Sequence, residues 1–108
     1  MTTAREKMQE LHNRILERKA EAAAIGAVYR FILEGEGGGT WVVNLKDDVG
    51  VKEGDGPAPC TIRMSGQDAV DLFEGRANGQ ALFFGQRLKV EGDLALALKL
   101  QALTDIVK

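Results

Sequence analysis

The 108-residue chain has one cysteine, one histidine, one tryptophan, one tyrosine and two prolines. Each scarcity removes a class of function. The single cysteine, Cys60, excludes an intrachain disulfide and suits a reducing compartment. One histidine and one cysteine, with no cluster of either, leave no ligand spacing for a metal and no nucleophile–base pair for catalysis. No catalytic residue, metal or cofactor is therefore expected. Neither sign of charge dominates: 14 basic against 16 acidic residues give a net charge of -2. No basic stripe extends beyond the mixed-sign N-terminal segment, so nucleic acid is not an expected partner. No apolar run approaches the about 18 residues of a membrane span, and Met1 to Lys7 lacks the apolar core of a secretory signal. The expectation is one soluble, cytoplasmic domain over residues 1–108, with no linker, repeat or low-complexity segment.

What the chain has is a surplus of apolar surface near its end. From Leu82 to Leu103 it carries more than one helix face and one strand face need. On a wheel of about 100° per residue, Leu94 and Leu98 lie on one side, with Leu96, Leu100, Leu103 and Val107 roughly opposite. A short helix with two apolar faces must be wrapped on both sides, docked on a partner, or set against an apolar ligand.

The remaining patterns define an α+β order. Thr3 and Glu6 have capping-box spacing, and Met8, Leu11, Ile15 and Ala22 follow at helical spacing, which predicts one helix from about residue 4 to 24 ended near Gly26. Lys19 interrupts its stripe. Val28 to Glu34 alternates as a strand, Gly35 and Gly37 to Gly39 form a hairpin loop, and Trp41, Val43 and Leu45 alternate in a second strand. Val49 to Glu53 is a short third strand after the turn at Asp47, Asp48 and Gly50. Gly54, Gly56, Pro57 and Pro59 forbid regular structure up to a fourth strand, Cys60 to Met64. Ser65 caps the next helix, which Gly75 stops. Gly79 to Phe84 is a helical turn, Leu88 to Glu91 a fifth strand, and Gly92-Asp93 caps the last helix. Each strand offers one apolar row, so helices should cover one sheet face while the other stays wetter.

The titratable residues have plainer uses than chemistry. His12 flanks the first helix stripe, with a pH switch as the alternative. Cys60 has no basic neighbour in sequence and reads as a small buried hydrophobe. Asp68 and Asp71, one turn apart, suit a helix N-terminus better than an acid/base pair. The glycines from 35 to 39 do not lead from a strand into a helix, so they form no phosphate cradle.

Several segments, in unbroken order, resemble the sterol carrier protein type two family: Ile25 to Phe31, Thr40 to Lys46, Cys60 to Met64, Leu82-Phe83-Phe84, Leu88 to Asp93 and Ala97 to Gln101. The first helix matches by character only. The resemblance implies a five-stranded, mixed and mainly antiparallel sheet with helices over one face, enclosing a hydrophobic tunnel. It also implies non-catalytic binding and intracellular transfer or presentation of a fatty acid, fatty acyl-CoA or other lipid. Carried over by position, the tunnel lining is Phe31, Trp41, Val43, Ile62, Met64, Phe73, Phe83, Leu88, Val90, Leu94 and Leu98. Arg87, Lys89 and Lys99 are the candidates for meeting a lipid head group, with solvated surface charge as the plain alternative. A lipid or fatty acyl ligand is the expected partner, with a transient membrane or lipid-enzyme contact, or a homodimer, as further ones.

Three departures from the family pattern stand out. The chain ends Ile106-Val107-Lys108 in place of a peroxisomal Ser-Lys-Leu. Gln86-Arg87 stands where Gly-Lys is usual, with a glycine one place earlier at Gly85. Only five residues follow Leu103. A small stand-alone bacterial-type member fits these features. The alternative reading is an interaction or dimerisation domain of the same fold, its cavity collapsed, serving a lipid-metabolising enzyme.

Overall fold

The computed structural model describes residues 2–35 and 37–106. Two helices lead the chain, α1 (Ala4–Glu17) and α2 (Lys19–Ile25). Thr3 and Glu6 form the reciprocal capping box at the start of α1. The single helix expected to residue 24 is broken at Arg18, whose φ of -123° and ψ of 46° leave the helical region. An unbroken helix would carry Lys19 onto the apolar stripe one turn after Ile15. The break turns Lys19 into solvent and lets the stripe resume at Ala22 and Ile25. Gly26 then closes α2 in the left-handed conformation, φ 67°.

The strands are β1 (Ala27–Glu34), β2 (Gly39–Leu45), β3 (Gly50–Glu53), β4 (Cys60–Ser65) and β5 (Leu88–Gly92), in the order β3-β2-β1-β4-β5. Strands β1 to β3 form the antiparallel meander. The long crossover then brings β4 parallel to β1, and β5 returns antiparallel to β4. Register places Tyr29, Val43 and Cys60 in one row, Phe31, Trp41, Ile62 and Val90 in the next, and Leu33, Met64 and Leu88 in a third, all facing the helices. These rows meet Met8, Leu11 and Ile15 of α1 and the buried side of α3 (Gly66–Phe73) in one core. Phe31 packs between Tyr29 and Phe73, each ring centroid 5.9 Å away. The opposite sheet face carries Val28, Arg30, Ile32 and Val42, all half-buried. The 54–59 loop crosses part of it, with Arg30 bonded to Thr61 at 3.1 Å and paired with Asp55 at 3.1 Å.

Besides the exposed Arg5–Glu53 pair, two part-buried polar links fasten α1. His12 accepts the Val51 backbone N–H at its Nδ1, 2.9 Å, so it joins the helix to edge strand β3 and is more than a flank residue. Lys7 is buried, and its ammonium meets Glu74 at 2.9 Å and Glu10 at 3.2 Å, tying α1 to the end of α3. Lys7 and then Arg76 hold the Glu74 carboxyl below the usual range.

The remaining helices follow β4: α4 (Gly79–Phe84), α5 (Leu94–Ala97) and α6 (Leu100–Ile106). The single leucine-rich helix expected at the end is two, because at Leu98 and Lys99 the chain tightens to i→i+3 bonds, from Lys99 N–H to Leu96 and from Ala102 N–H to Lys99. The tightening separates the two apolar faces. Leu100, Leu103 and Ile106 enter the core, while Leu94 and Leu98 stay out. Val107, placed with the inner face by periodicity, lies outside the described residues.

Candidate ligand-binding cavity

The site lies over β5. As an edge strand, β5 extends the inward sheet rows past the area covered by α1 and α3, and α4, α5 and α6 arch over that margin. Each is fixed by local chemistry. Asn78 caps α4, its side-chain oxygen accepting from Gln80 N–H at 2.8 Å and Ala81 N–H at 3.2 Å. At its far end α4 closes in a Schellman motif, with Arg87 N–H to the Leu82 carbonyl at 2.8 Å and Gln86 N–H to Phe83 at 3.1 Å. Gln86 takes the left-handed position, φ 62°, the only non-glycine residue with positive φ among those described. Asp93 caps α5 through Ala95 N–H, 2.9 Å. At the end of β5, Gly92 has φ 92°, and a Cβ there would fall 2.4 Å from the Pro59 carbonyl oxygen, so this close crossing requires glycine.

Two long-range bonds hold the roof to the rest of the fold, one to β1 and one to the end of α2. The Tyr29 hydroxyl donates to the Leu96 carbonyl at 2.5 Å, and the Lys99 ammonium donates to the Ile25 carbonyl at 3.2 Å. Burial, then the adjacent Cys60, pushes the Tyr29 phenol above its ordinary range. Burial, then Asp93, likewise raises the Cys60 thiol. Both side chains stay protonated and neutral at physiological pH.

Beneath this roof is a cavity of about 670 Å³, within the size range of small-molecule sites. A burial gradient orients it. Leu72, Leu88, Leu100 and Thr104 form a buried floor, Val90 and Ala97 are half-buried walls, and Gln80, Phe83, Phe84, Leu94, Leu98 and Gln101 surround an open mouth. Among the described residues no charged side chain lines it. Its polar side chains are neutral, and two are engaged: Thr104 Oγ1 donates to the Gln101 carbonyl at 2.8 Å, and Gln101 Nε2 donates to Asp105 at 2.9 Å. The arrangement can exclude water from a hydrocarbon and hold it.

Of the residues carried over as lining, Phe83, Leu88, Val90, Leu94 and Leu98 border this cavity. Phe31, Trp41, Val43, Ile62, Met64 and Phe73 do not. They are buried in the core under α1 and α3, packed against other side chains. The head-group candidates are also placed elsewhere. Arg87 forms a two-pronged pair with the buried carboxylate of Asp68, its Nε 3.2 Å from Oδ2 and its Nη2 on Oδ1. Lys99 is bonded to the Ile25 carbonyl. Lys89 alternates with Leu88 and Val90 and so projects from the opposite sheet face. Asp68 and Asp71 do not act together either, since Asp71 pairs with Arg76 at 2.8 Å. Leu72, Leu100 and Thr104 were missed. Leu100 and Thr104 are four residues apart on one helix face, but α3 and α6 had to be docked before Leu72 joined them.

Among the described residues no helix is long and apolar enough to cross a membrane, and no group of three potential metal ligands converges. Comparison with known proteins adds the family. The chain is 40% identical over 84 residues to rat sterol carrier protein 2, an alignment spanning 73% of this chain but only 15% of that protein. The solution structure of the sterol carrier protein domain 2 of Helicoverpa armigera superposes with a TM-score of 0.78 at 29% identity, covering 95% of this chain and 87% of that one. The Aedes aegypti sterol carrier protein-2 complex with palmitate has the same fold, with a TM-score of 0.75 at 21% identity and full coverage of both chains. With residues 6–105 matching the family model, the chain belongs to the SCP-2 sterol transfer family.

Proposed function

We propose that the cavity over β5 holds the hydrocarbon part of a lipid, a fatty acid or fatty acyl-CoA among them, and that the chain carries or presents this ligand without altering it. The observation that carries the reading is the open cavity of about 670 Å³ whose lining is mostly apolar and, among the described residues, uncharged. Each methylene moved from water into it contributes about 0.8 kcal/mol, so a 16-carbon chain gains on the order of 10 kcal/mol before immobilisation costs. With no cation in the described lining, the polar end of the ligand belongs at the mouth, where water can solvate it. The palmitate held by the Aedes aegypti relative supports a ligand of this size. An open cavity already shaped in the fold speaks against the reading with a collapsed cavity.

Displacement of a fluorescent fatty acid from the purified protein tests this, together with native mass spectrometry of gently isolated material. Uptake by the parent chain and its loss in Ala97→Trp, which fills the half-buried wall, are the expected results. Unchanged uptake in a folded Ala97→Trp variant would place the ligand elsewhere. A ligand-free dimer that takes up no probe would favour the docking-domain alternative.

A further inference from the structure

Five large apolar side chains are exposed among the described residues, and four are gathered at one place. Leu16 stands alone on α1. Phe84 (79% exposed), Leu98 (79%), Leu94 (60%) and Phe83 (45%) stand around the cavity mouth. The aromatic pair comes from the end of α4 and the leucines from α5 and the turn after it, separated in sequence by β5. Isolated exposed apolar residues need no explanation, but a contiguous set around an opening does.

We propose that this rim is the docking surface for a lipid bilayer, with Phe83, Phe84, Leu94 and Leu98 entering the leaflet and the cavity mouth opening onto it. Area favours a bilayer over a second copy of the chain. Four such side chains, partly exposed, present roughly 500 Å², against the about 800 Å² per partner that a stable pair of chains buries. A bilayer needs no matching relief, because lipid tails flow around single protruding side chains. Charge agrees. No described charged side chain lines the cavity, and the ionic groups beside the rim are each held by a partner at its edge: Arg87 by Asp68, Lys99 by the Ile25 carbonyl and Asp93 by the Ala95 N–H. Gln80 and Gln101, neutral and exposed at the same mouth, suit the headgroup layer. With no described helix able to span a membrane, the contact is peripheral and reversible. A ligand then passes between leaflet and cavity without crossing water, which avoids a penalty of about fourfold in equilibrium per methylene. The docking rests on the lipid-site reading for its purpose but is measured without any ligand.

The test uses vesicles of 1-palmitoyl-2-oleoyl-phosphatidylcholine and an environment-sensitive nitrobenzoxadiazole label placed at Phe84→Cys, Leu98→Cys or, as control, the exposed β3 position Lys52→Cys. The buried Cys60 does not compete for label in the folded protein. Emission at positions 84 and 98 should rise at least twofold on vesicles and stay constant at 52. Unlabelled Phe84→Ser/Leu98→Ser should bind vesicles at least tenfold more weakly than the parent in sedimentation. No rise at 84 and 98 at saturating lipid, an equal rise at 52, or a stable dimer that already shields position 84 would each overturn the proposal. Fatty-acid displacement measured without vesicles is a separate result, so failure of docking and failure of the ligand site are distinguishable.

Discussion

Replacing Leu88 by alanine should lengthen the hydrocarbon chain that the cavity prefers. Leu88 is buried on β5, faces the roof and forms part of the cavity floor. The substitution removes three carbons, and because their neighbours on one side are already open space, the stability cost belongs at the lower end of the leucine-to-alanine range, about 2 kcal/mol. The vacated volume admits two to three further methylenes. At about 0.8 kcal/mol each they restore roughly 2 kcal/mol on binding, a gain of fifteen- to sixtyfold for a sufficiently long chain. The assay is competition of 1-alkanols of increasing length against a fluorescent fatty acid. Affinity of the parent should rise with length and level off, and the plateau in Leu88→Ala should begin two to three carbons later. Val43→Ala is the matched comparison. Val43 is buried on β2, away from the cavity, so this variant should lose stability without moving the plateau. An unmoved plateau in folded Leu88→Ala, or a moved one in Val43→Ala, would refute the assignment of floor and core.

Gln86→Gly should stabilise the fold by about 0.5–1 kcal/mol, because glycine removes the left-handed strain at φ 62° and gives back only part of that gain through the unfolded chain; chemical denaturation reads it, and an unchanged or lower midpoint would contradict it. Tyr29→Phe should cost about 1 kcal/mol by leaving the Leu96 carbonyl without its donor, with faster amide exchange confined to α5 and its flanks; uniform loss across the sheet would argue against a roof tie. Since burial raises the Cys60 thiol, native protein should resist iodoacetamide at pH 8 while denatured protein alkylates. The sign of the linkage follows. The neutral buried thiol favours the folded state fully below the ordinary thiol pKa, and that contribution declines as pH rises above it, where the unfolded chain ionises first.

Much of the secondary structure was legible because it is written in local interactions. The Thr3–Glu6 box, the Ser65 cap, the turn helix from Gly79 and the alternation in all five strands depend on residues within a few positions of one another. The two helix breaks were not legible. Lys19 on an apolar stripe and leucines on two faces were visible as inconsistencies, but the conflict is relieved only where Ala22 and Ile25 meet α6 and β2, and where Leu100 and Leu103 find the core. The partners of the head-group candidates were hidden for the same reason: Asp68 lies 19 residues from Arg87, and Ile25 lies 74 from Lys99.

By itself the sequence determined the five strands and where most helices start, the inward row of each strand, the family resemblance and the apolar excess near the chain's end. Only the tertiary structure decided which apolar residues are filling and which are lining. Phe31 and Leu88 occupy inward rows of one sheet and look alike in sequence, yet one is pressed between rings and the other borders open space. A cavity is volume left over when distant elements have packed, and no short-range pattern records a remainder of that kind.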